Sequence, residues 1–252
     1  MNSGTLRFRI GTYNVLDPGF GTVAPWGERR ENVARTITGA ACGILCLQEI
    51  GLTKLARELD LLGDLAALTR MTRSKVSRDG VGFLYSAAWA AGRAGTFRLP
   101  RPRGDNHRSG VWQEFDHRES GVRVLAVSTH FSPWRDHDDA RVRHARVLAR
   151  RIHRINRSRL PVIIAGDFNS WDADAPATPM TELAAAGFRD VLLDTPDDSP
   201  GLSTIVNRSH GRRLDHIAVS AGVTVTRTHI ENPDLGGPAS DHRLVWADVE
   251  TL

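Results

Sequence analysis

The sequence is short of cysteine, lysine and tyrosine, with two of each among its 252 residues. Cys42 and Cys46 cannot build a disulfide framework, and so few thiols predict a reducing compartment. Long apolar runs are missing too. None approaches the roughly 18–20 residues that span a bilayer, so no membrane span is expected. The opening Met1-Asn2-Ser3-Gly4-Thr5 leads into a strand-like segment without the apolar core of a signal peptide, and the expected location is cytoplasmic. The scarcity of lysine makes 31 of the 33 basic residues arginine. With many alanines, that skew fits the codon bias of a GC-rich genome as well as selection for phosphate contacts. The net charge of +4 and the isoelectric point near 9.6 therefore do not by themselves specify a nucleic-acid partner.

What is present is ordinary for a globular chain: 40% hydrophobic and 25% charged residues, enough to exclude long disorder. No repeat, low-complexity tract or linker divides the sequence, and residues 1–252 are read as one monomeric domain. Short runs rich in Val, Ile and Leu between Gly/Pro/Asp/Ser turns predict strands at Leu6–Val15, Ile44–Ile50, Val81–Ser86, Val111–Phe115, Val122–Phe131, Val162–Phe168, Leu214–Ser220, Val223–Ile230 and Leu244–Val249. Helical periodicity predicts Glu28–Ala41, Asp138–Ser158 and Pro179–Ala186. Many strands with a few interspersed helices imply a layered α/β or α+β domain.

The chemistry collects at strand ends. Asn14 ends the first strand and Glu49 the second; His130 closes Val127-Ser128-Thr129-His130; Asp167 and Asn169 follow Ile163-Ile164-Ala165-Gly166. Asp215 opens Leu214-Asp215-His216-Ile217, and Asp241-His242 precedes the last strand. Singly, each has a plain structural reading: an Asx-turn for Asp167, a turn cap for Asp241, a hydrogen-bonded structural histidine for His130. Glu49 is harder to read so, because a carboxylate closing a buried strand needs a partner. Together they predict one cleft at a sheet rim.

Thr12-Tyr13-Asn14-Val15, Leu47-Gln48-Glu49, Ser128-Thr129-His130, Gly166-Asp167-Phe168-Asn169, Leu214-Asp215-His216-Ile217 and Ser240-Asp241-His242 occur in the order found in the endonuclease/exonuclease/phosphatase superfamily, which the chain resembles from Thr12 nearly to its end. The resemblance implies a DNase I-like, four-layered α/β sandwich, two central mostly antiparallel sheets flanked by helices. It further implies a divalent-metal-dependent hydrolase acting on phosphoric ester bonds. Glu49 would be the main ligand of Mg²⁺ or Mn²⁺, with Asn14 and Asp241 nearby; these are hard oxygen donors, and neither cysteine joins them. Asp167 and Asn169 would orient the attacking water. Family members differ on whether that aspartate or the histidine is the base. His242, hydrogen-bonded to Asp215, would face a phosphate oxygen, His130 would be a second donor, and Arg108 aligns with an arginine that some nucleases of the family place on phosphate.

The sequence departs from the family pattern at Leu16, where some apurinic endonucleases carry an acidic residue, and in Thr72–Asp79, which lacks a phosphate-contacting tyrosine. Tyr85 is read as core. The substrate stays open between nucleic acid and a small or lipid-like phosphoester. The arginine-rich helix Arg141–Arg159 is expected to be a solvated outer face away from the cleft. Phe20, Trp26, Trp134 and Trp171, in loops after Asn14, His130 and Asn169, are expected to form an aromatic rim. Two alternatives are a biosynthetic enzyme reusing the metal site on a small diphosphate or other activated group, and a catalytically inactive binding protein of the same fold.

Overall fold

A computed structural model describes residues 5–21, 23–170, 177–194, 202–206 and 213–251. In chain order its elements are β1 (Leu6–Asn14), α1 (Trp26–Ala40), β2 (Ile44–Gln48), α2 (Lys54–Glu58), α3 (Leu61–Thr69), β3 (Thr72–Arg73), β4 (Gly82–Tyr85), β5 (Trp89–Arg98) and β6 (Ser109–His117). There follow β7 (Arg123–His130), α4 (Asp138–Ile155), β8 (Val162–Asp167), α5 (Pro179–Ala185), β9 (Phe188–Asp190), α6 (Val191–Asp194), β10 (Asp215–Ser220), β11 (Val223–Ile230) and β12 (Val245–Thr251). They make two six-stranded sheets, ordered β11-β12-β1-β2-β4-β3 and β5-β6-β7-β8-β10-β9. Each has a single parallel pair, β1–β2 in the first and β7–β8 in the second; every other pairing is antiparallel.

Side-chain alternation explains the layering. On β1, β2, β7, β8 and β10 one set of alternate residues, among them Ile10, Ile44, Cys46, Val124, Ala126, Ile163, Ala165 and Ile217, forms a core with residues of both sheets. The other set packs outward. Tyr13, Leu45 and Leu47 meet Val33 and Ile37 of α1 and Leu61 and Leu65 of α3. Leu125, Val127 and Ile164 meet Ala145, Leu148 and Ile152 of α4 and Leu183 of α5. Buried on both faces, these strands read as continuous apolar runs rather than alternating ones. Each fully buried Leu or Ile contributes about 1.5–3 kcal/mol of burial.

The inter-sheet layer changes character along its length. The same alternation that places Ile10, Ile44, Ala126 and Ile163 between the sheets continues to Thr12 and Asn14, Gln48, Ser128 and His130, and Asp167, with Asp215 opening β10. Thr12 Oγ1 donates to Gln48 Oε1 at 3.2 Å, and Gln48 Nε2 donates across the layer to Ser128 Oγ at 3.3 Å. One end of the core is thus polar, and that end is where a cleft opens. Gly166, two residues before Phe168, has its own reason: a Cβ there would lie 2.1 Å from the carbonyl oxygen of Thr129 on β7, so the chain passes only with glycine.

Three strands, β3, β5 and β9, and three helices, α2, α3 and α6, fall outside the ranges expected from the sequence. β5 is an edge strand rich in Ala and Gly, held by its register against β6; β3 has two residues; α3 begins in a leucine-rich stretch and is capped by Asp60. No helix of the described residues is long and apolar enough to cross a membrane.

Candidate active site

The cleft, about 460 Å³, is lined by Glu49, Arg108, His130, Asp167, Asn169, Asp241 and His242 at its polar end. Three turns that build it use left-handed backbone: Leu16, Glu49 and Asn169 have φ of 59°, 62° and 47°. Each follows directly or by two residues a strand of a parallel pair, and each non-glycine residue held there costs about 1–3 kcal/mol. The strain turns the chain away from its sheet so that side chains converge on one space.

Asp167 lies at the centre. Its Oδ1 accepts the Asn169 N–H at 2.9 Å and its Oδ2 accepts Asn14 Nδ2 at 3.1 Å, while His130 Nε2 stands 3.4 Å and His242 Nε2 3.9 Å away. Burial, and then the charge of Asp215, push its carboxyl upward, against the opposing pull of His242. Asn169 is itself fixed by donating Nδ2 to the Phe131 carbonyl at 3.2 Å.

His242 Nδ1 is hydrogen-bonded to Asp215 Oδ2 at 2.8 Å. Burial alone would favour neutral imidazole, but the charge and hydrogen bond of Asp215, helped by Asp167 and Asp241, outweigh it and hold His242 well above the usual histidine range. His130 goes the other way: burial, with Arg108 and His242 close by, holds it well below that range. It therefore enters as a neutral ring with one N–H. Ser240 explains the serine of Ser-Asp-His, because its hydroxyl donates to the Asn14 carbonyl at 2.7 Å and pins this loop to the end of β1.

Glu49, buried, is held by neutral donors: Asn14 Nδ2 at 3.1 Å on Oε1 and the Asp17 N–H at 2.8 Å on Oε2. Burial raises its pKa, and the charge of Asp241 raises it further. A carboxylate so placed beside a second carboxylate, with lone pairs left on both, suits a hard dication. Both thiols lie buried elsewhere, and burial pushes each upward, so the donor set is oxygen and imidazole. Ligand atoms of Asp167, Asp215 and His242 also lie within 4.8 Å of one another. The hydrogen bond already joining His242 to Asp215 makes that trio a charge-balanced dyad beside a carboxylate, whereas Glu49 and Asp241 could hold a cation with both carboxylates free of a histidine partner.

Arg108 is 2% exposed, and two of its nitrogens, Nε at 3.2 Å and Nη2 at 2.9 Å, are committed to Asp105. Its third, Nη1, is buried without a partner among the described residues and belongs to a side chain lining the cleft. Asp105 was missed by sequence reasoning, although its place three residues before Arg108 was the available signal. Arg29 was missed as well. Entirely buried, it donates to the carbonyls of Val15, Leu16, Ala24 and Ala239, which braces both loops beside the cleft.

Of the four rim aromatics, Phe20 and Trp134 line the cleft. Trp26 does not: α1 begins at this residue, two positions earlier than periodicity predicts, which turns the indole into the core between α1 and α3, where its Nε1 donates to Asp64 at 2.8 Å. Trp171 lies outside the described residues. The arginine-rich helix α4 does pack on the outside of its sheet, yet its first arginine is not solvated. Arg141 is fully buried and donates to the carbonyls of Ser132 at 2.9 Å and Trp134 at 2.6 Å, fixing the loop that carries Trp134.

His144 of α4, against the edge of Phe131, donates its Nε2–H to the Pro100 carbonyl, 2.6 Å away; its Nδ1 has no partner among the described residues. Burial pushes it down to about 4, the Pro100 contact opposing and Arg108 adding to the shift. An unfolded histidine takes up its proton near pH 6.5, the folded one only near 4, so between those values the unfolded chain binds more protons and stability falls as pH falls. Urea unfolding at pH 7 and pH 5 is expected to show wild type losing about 2 kcal/mol more than His144→Gln over that interval; equal losses would assign the acid sensitivity elsewhere.

Two face-to-face sheets with Asn, Glu, His, Asp and Asp-His converging at the polar end of their shared layer define the DNase I-like class of phosphoesterases. The chain belongs to the Endonuclease/Exonuclease/phosphatase family, whose sequence profile matches residues 11–242, a family of phosphoesterases and nucleases. No curated protein matches it in sequence. Solved structures share the fold. An endonuclease/exonuclease/phosphatase family protein from Bacteroides thetaiotaomicron is 19% identical, with 99% of each chain covered and a TM-score of 0.81. A mannosyl-6-phosphatase from the same organism is 20% identical over 96% of this chain and 99% of that one, at a TM-score of 0.79. The human Nocturnin catalytic domain is 18% identical over 99% and 97%, at 0.75.

Proposed function

We propose that the protein is a divalent-metal-dependent phosphoesterase that hydrolyses a phosphodiester or phosphomonoester by attack of an activated water. The observation that carries this reading is one cleft lined together by the buried carboxylate Glu49, by Asp241, by Asp167, by Arg108 and by His242, itself paired with Asp215. Glu49 and Asp241, with Asn14 bridging toward Asp167, would hold Mg²⁺ or Mn²⁺, which when bound supplies charge to offset that developing on the phosphoryl oxygens.

This chain's own residues do the remainder. Arg108 Nη1 and the protonated His242 ring offer donors to phosphoryl oxygens where negative charge grows in the transition state. Asp215 keeps the imidazolium charged and oriented. Asp167, raised toward neutrality yet flanked by donors, is suited to take or hold the proton of the attacking water, and the Asn169 backbone N–H fixes its Oδ1. His130, neutral, adds a single N–H at the same spot.

The expected result is hydrolysis of bis-p-nitrophenyl phosphate or p-nitrophenyl phosphate that starts on adding Mg²⁺ or Mn²⁺, stops with EDTA and resumes when the cation is restored. Turnover indifferent to EDTA would reject the metal-dependent reading.

A further inference from the structure

We infer that the group esterified to the substrate's phosphate is an apolar alkyl or aryl chain, not a sugar or a nucleoside, and that Phe20 and Trp134 receive it. The inference rests on the phosphoesterase reading for where the phosphate sits. The cleft is segregated. Polar side chains able to serve a phosphate or a cation line its inner end, whereas the remaining lining includes Leu16, Phe20, Leu52, Pro133, Trp134 and Ile205. Asn106 is the one polar lining side chain outside the phosphate-directed set and its anchor Asp105, among the described residues.

Phe20 and Trp134 are 46% and 54% exposed, large hydrophobic surfaces left in water beside a site rather than scattered over the molecule. They come from loops of different sheets, one following β1 and the other β7, and both are held firmly. Phe20 closes the short 3₁₀ turn Pro18–Phe20, whose preceding Asp17 accepts the Gly19 N–H at 2.9 Å and the Thr53 N–H at 2.7 Å. The Trp134 carbonyl is gripped by the buried Arg141. Ile205 is set in place by Arg243, which donates to its carbonyl at 2.7 Å, and by the bridge between Ile205 and His242. Apolar side chains on preorganised turns lose little entropy on binding.

That lining selects chemistry. Sugar hydroxyls or the edge of a nucleobase pressed against Leu, Phe, Pro and Ile would lose water, with Asn106 the one side chain outside the phosphate-directed set and Asp105 to replace it among the described lining residues, and that loss is penalised. A base can stack on Trp134, but its hydrogen-bonding edge would face hydrocarbon. An alkyl or aryl group gains from every methylene removed from water. The volume of about 460 Å³ holds a phosphate and a chain of roughly six to eight carbons, within the usual range for small-molecule sites.

The test uses non-hydrolysable alkylphosphonates, so that binding is read without turnover. Methyl-, butyl- and hexylphosphonate, adenosine 5′-monophosphate and glucose 6-phosphate are titrated calorimetrically into the protein with Mn²⁺ present, alongside Phe20→Ala, Trp134→Ala and Trp134→Phe. Affinity is expected to rise about two- to fourfold per methylene along the chain, so that hexylphosphonate, with five more methylenes, binds about thirtyfold or more tighter than methylphosphonate. Both alanine variants should bring the hexyl-to-methyl ratio toward one, and Trp134→Phe should restore much of it. A flat response to chain length, no binding of any phosphonate, or tighter binding of the nucleotide or sugar phosphate than of hexylphosphonate would overturn the inference. Chain-length-dependent binding without turnover of any ester would support the apolar subsite while defeating the phosphoesterase reading; turnover with a flat response would do the reverse.

Discussion

Glu49→Gln is expected to lower metal-stimulated hydrolysis by about a thousandfold or more, the equivalent of roughly 4 kcal/mol of transition-state stabilisation. The substitution keeps the shape of the side chain and removes the negative charge that a hard cation needs; its single amide oxygen can accept from Asn14 or from the Asp17 N–H, so one of the two contacts is lost. It also removes a charge that burial penalises, which offsets the lost hydrogen bond, so the metal-free variant should melt close to the wild-type temperature. Initial rates across a Mn²⁺ series, calorimetric Mn²⁺ titration and a thermal melt separate these effects. Wild-type rates with unchanged Mn²⁺ affinity would mean that the cation binds elsewhere, with the Asp167, Asp215 and His242 cluster as the next place to look.

The second large effect is expected at Asp167. Asp167→Asn removes the proton acceptor at the centre of the cleft while preserving a side chain of the same size, and kcat should fall by about 10²–10⁴ with KM little changed. The pH dependence sharpens this. Activity that needs an ionised Asp167 falls as pH drops through its pKa, and because burial and Asp215 push that pKa upward, the acid limb should lie above the ordinary carboxylate range. The limb belongs to Asp167 and its charged neighbours jointly. In Asp167→Asn the residual rate should lose that limb. A variant retaining both the wild-type kcat and the acid limb would remove Asp167 from proton transfer and point to a histidine.

Much of the frame and most of the cleft could be read from the sequence because both obey strand alternation. Asn14, Gln48, His130 and Asp167 each continue the inward-facing parity of an apolar residue two or four positions earlier on the same strand. A polar residue at the end of such a run therefore announces where the inter-sheet core stops being dry. Features set by tertiary context were not legible. Trp26 looks like a loop aromatic until α1 starts early enough to bury it. Asp105 looks like a turn residue until it is seen holding two nitrogens of Arg108. The Ala- and Gly-rich β5 has no strand periodicity of its own and takes its place only because β6 supplies a hydrogen-bonding edge.

The strand orders of the two sheets have a consequence for how the molecule is organised. Read in parallel, β11-β12-β1-β2-β4-β3 and β5-β6-β7-β8-β10-β9 superpose strand for strand. Each has an antiparallel hairpin, then a parallel pair crossed by an outer helix, α1 or α4, then an antiparallel return. The fold uses one strand order twice, and the first and last strands of the chain, β1 and β12, lie side by side, Leu6 paired with Thr251. Across the layer the strand ends meet crosswise, Asn14 of β1 against Asp167 of β8 and Gln48 of β2 against Ser128 of β7. Under the proposed function the two sheets would divide the work, one holding a cation and the other handling water and phosphate. A slip of one half past the other would leave both sheets folded and the centre divided.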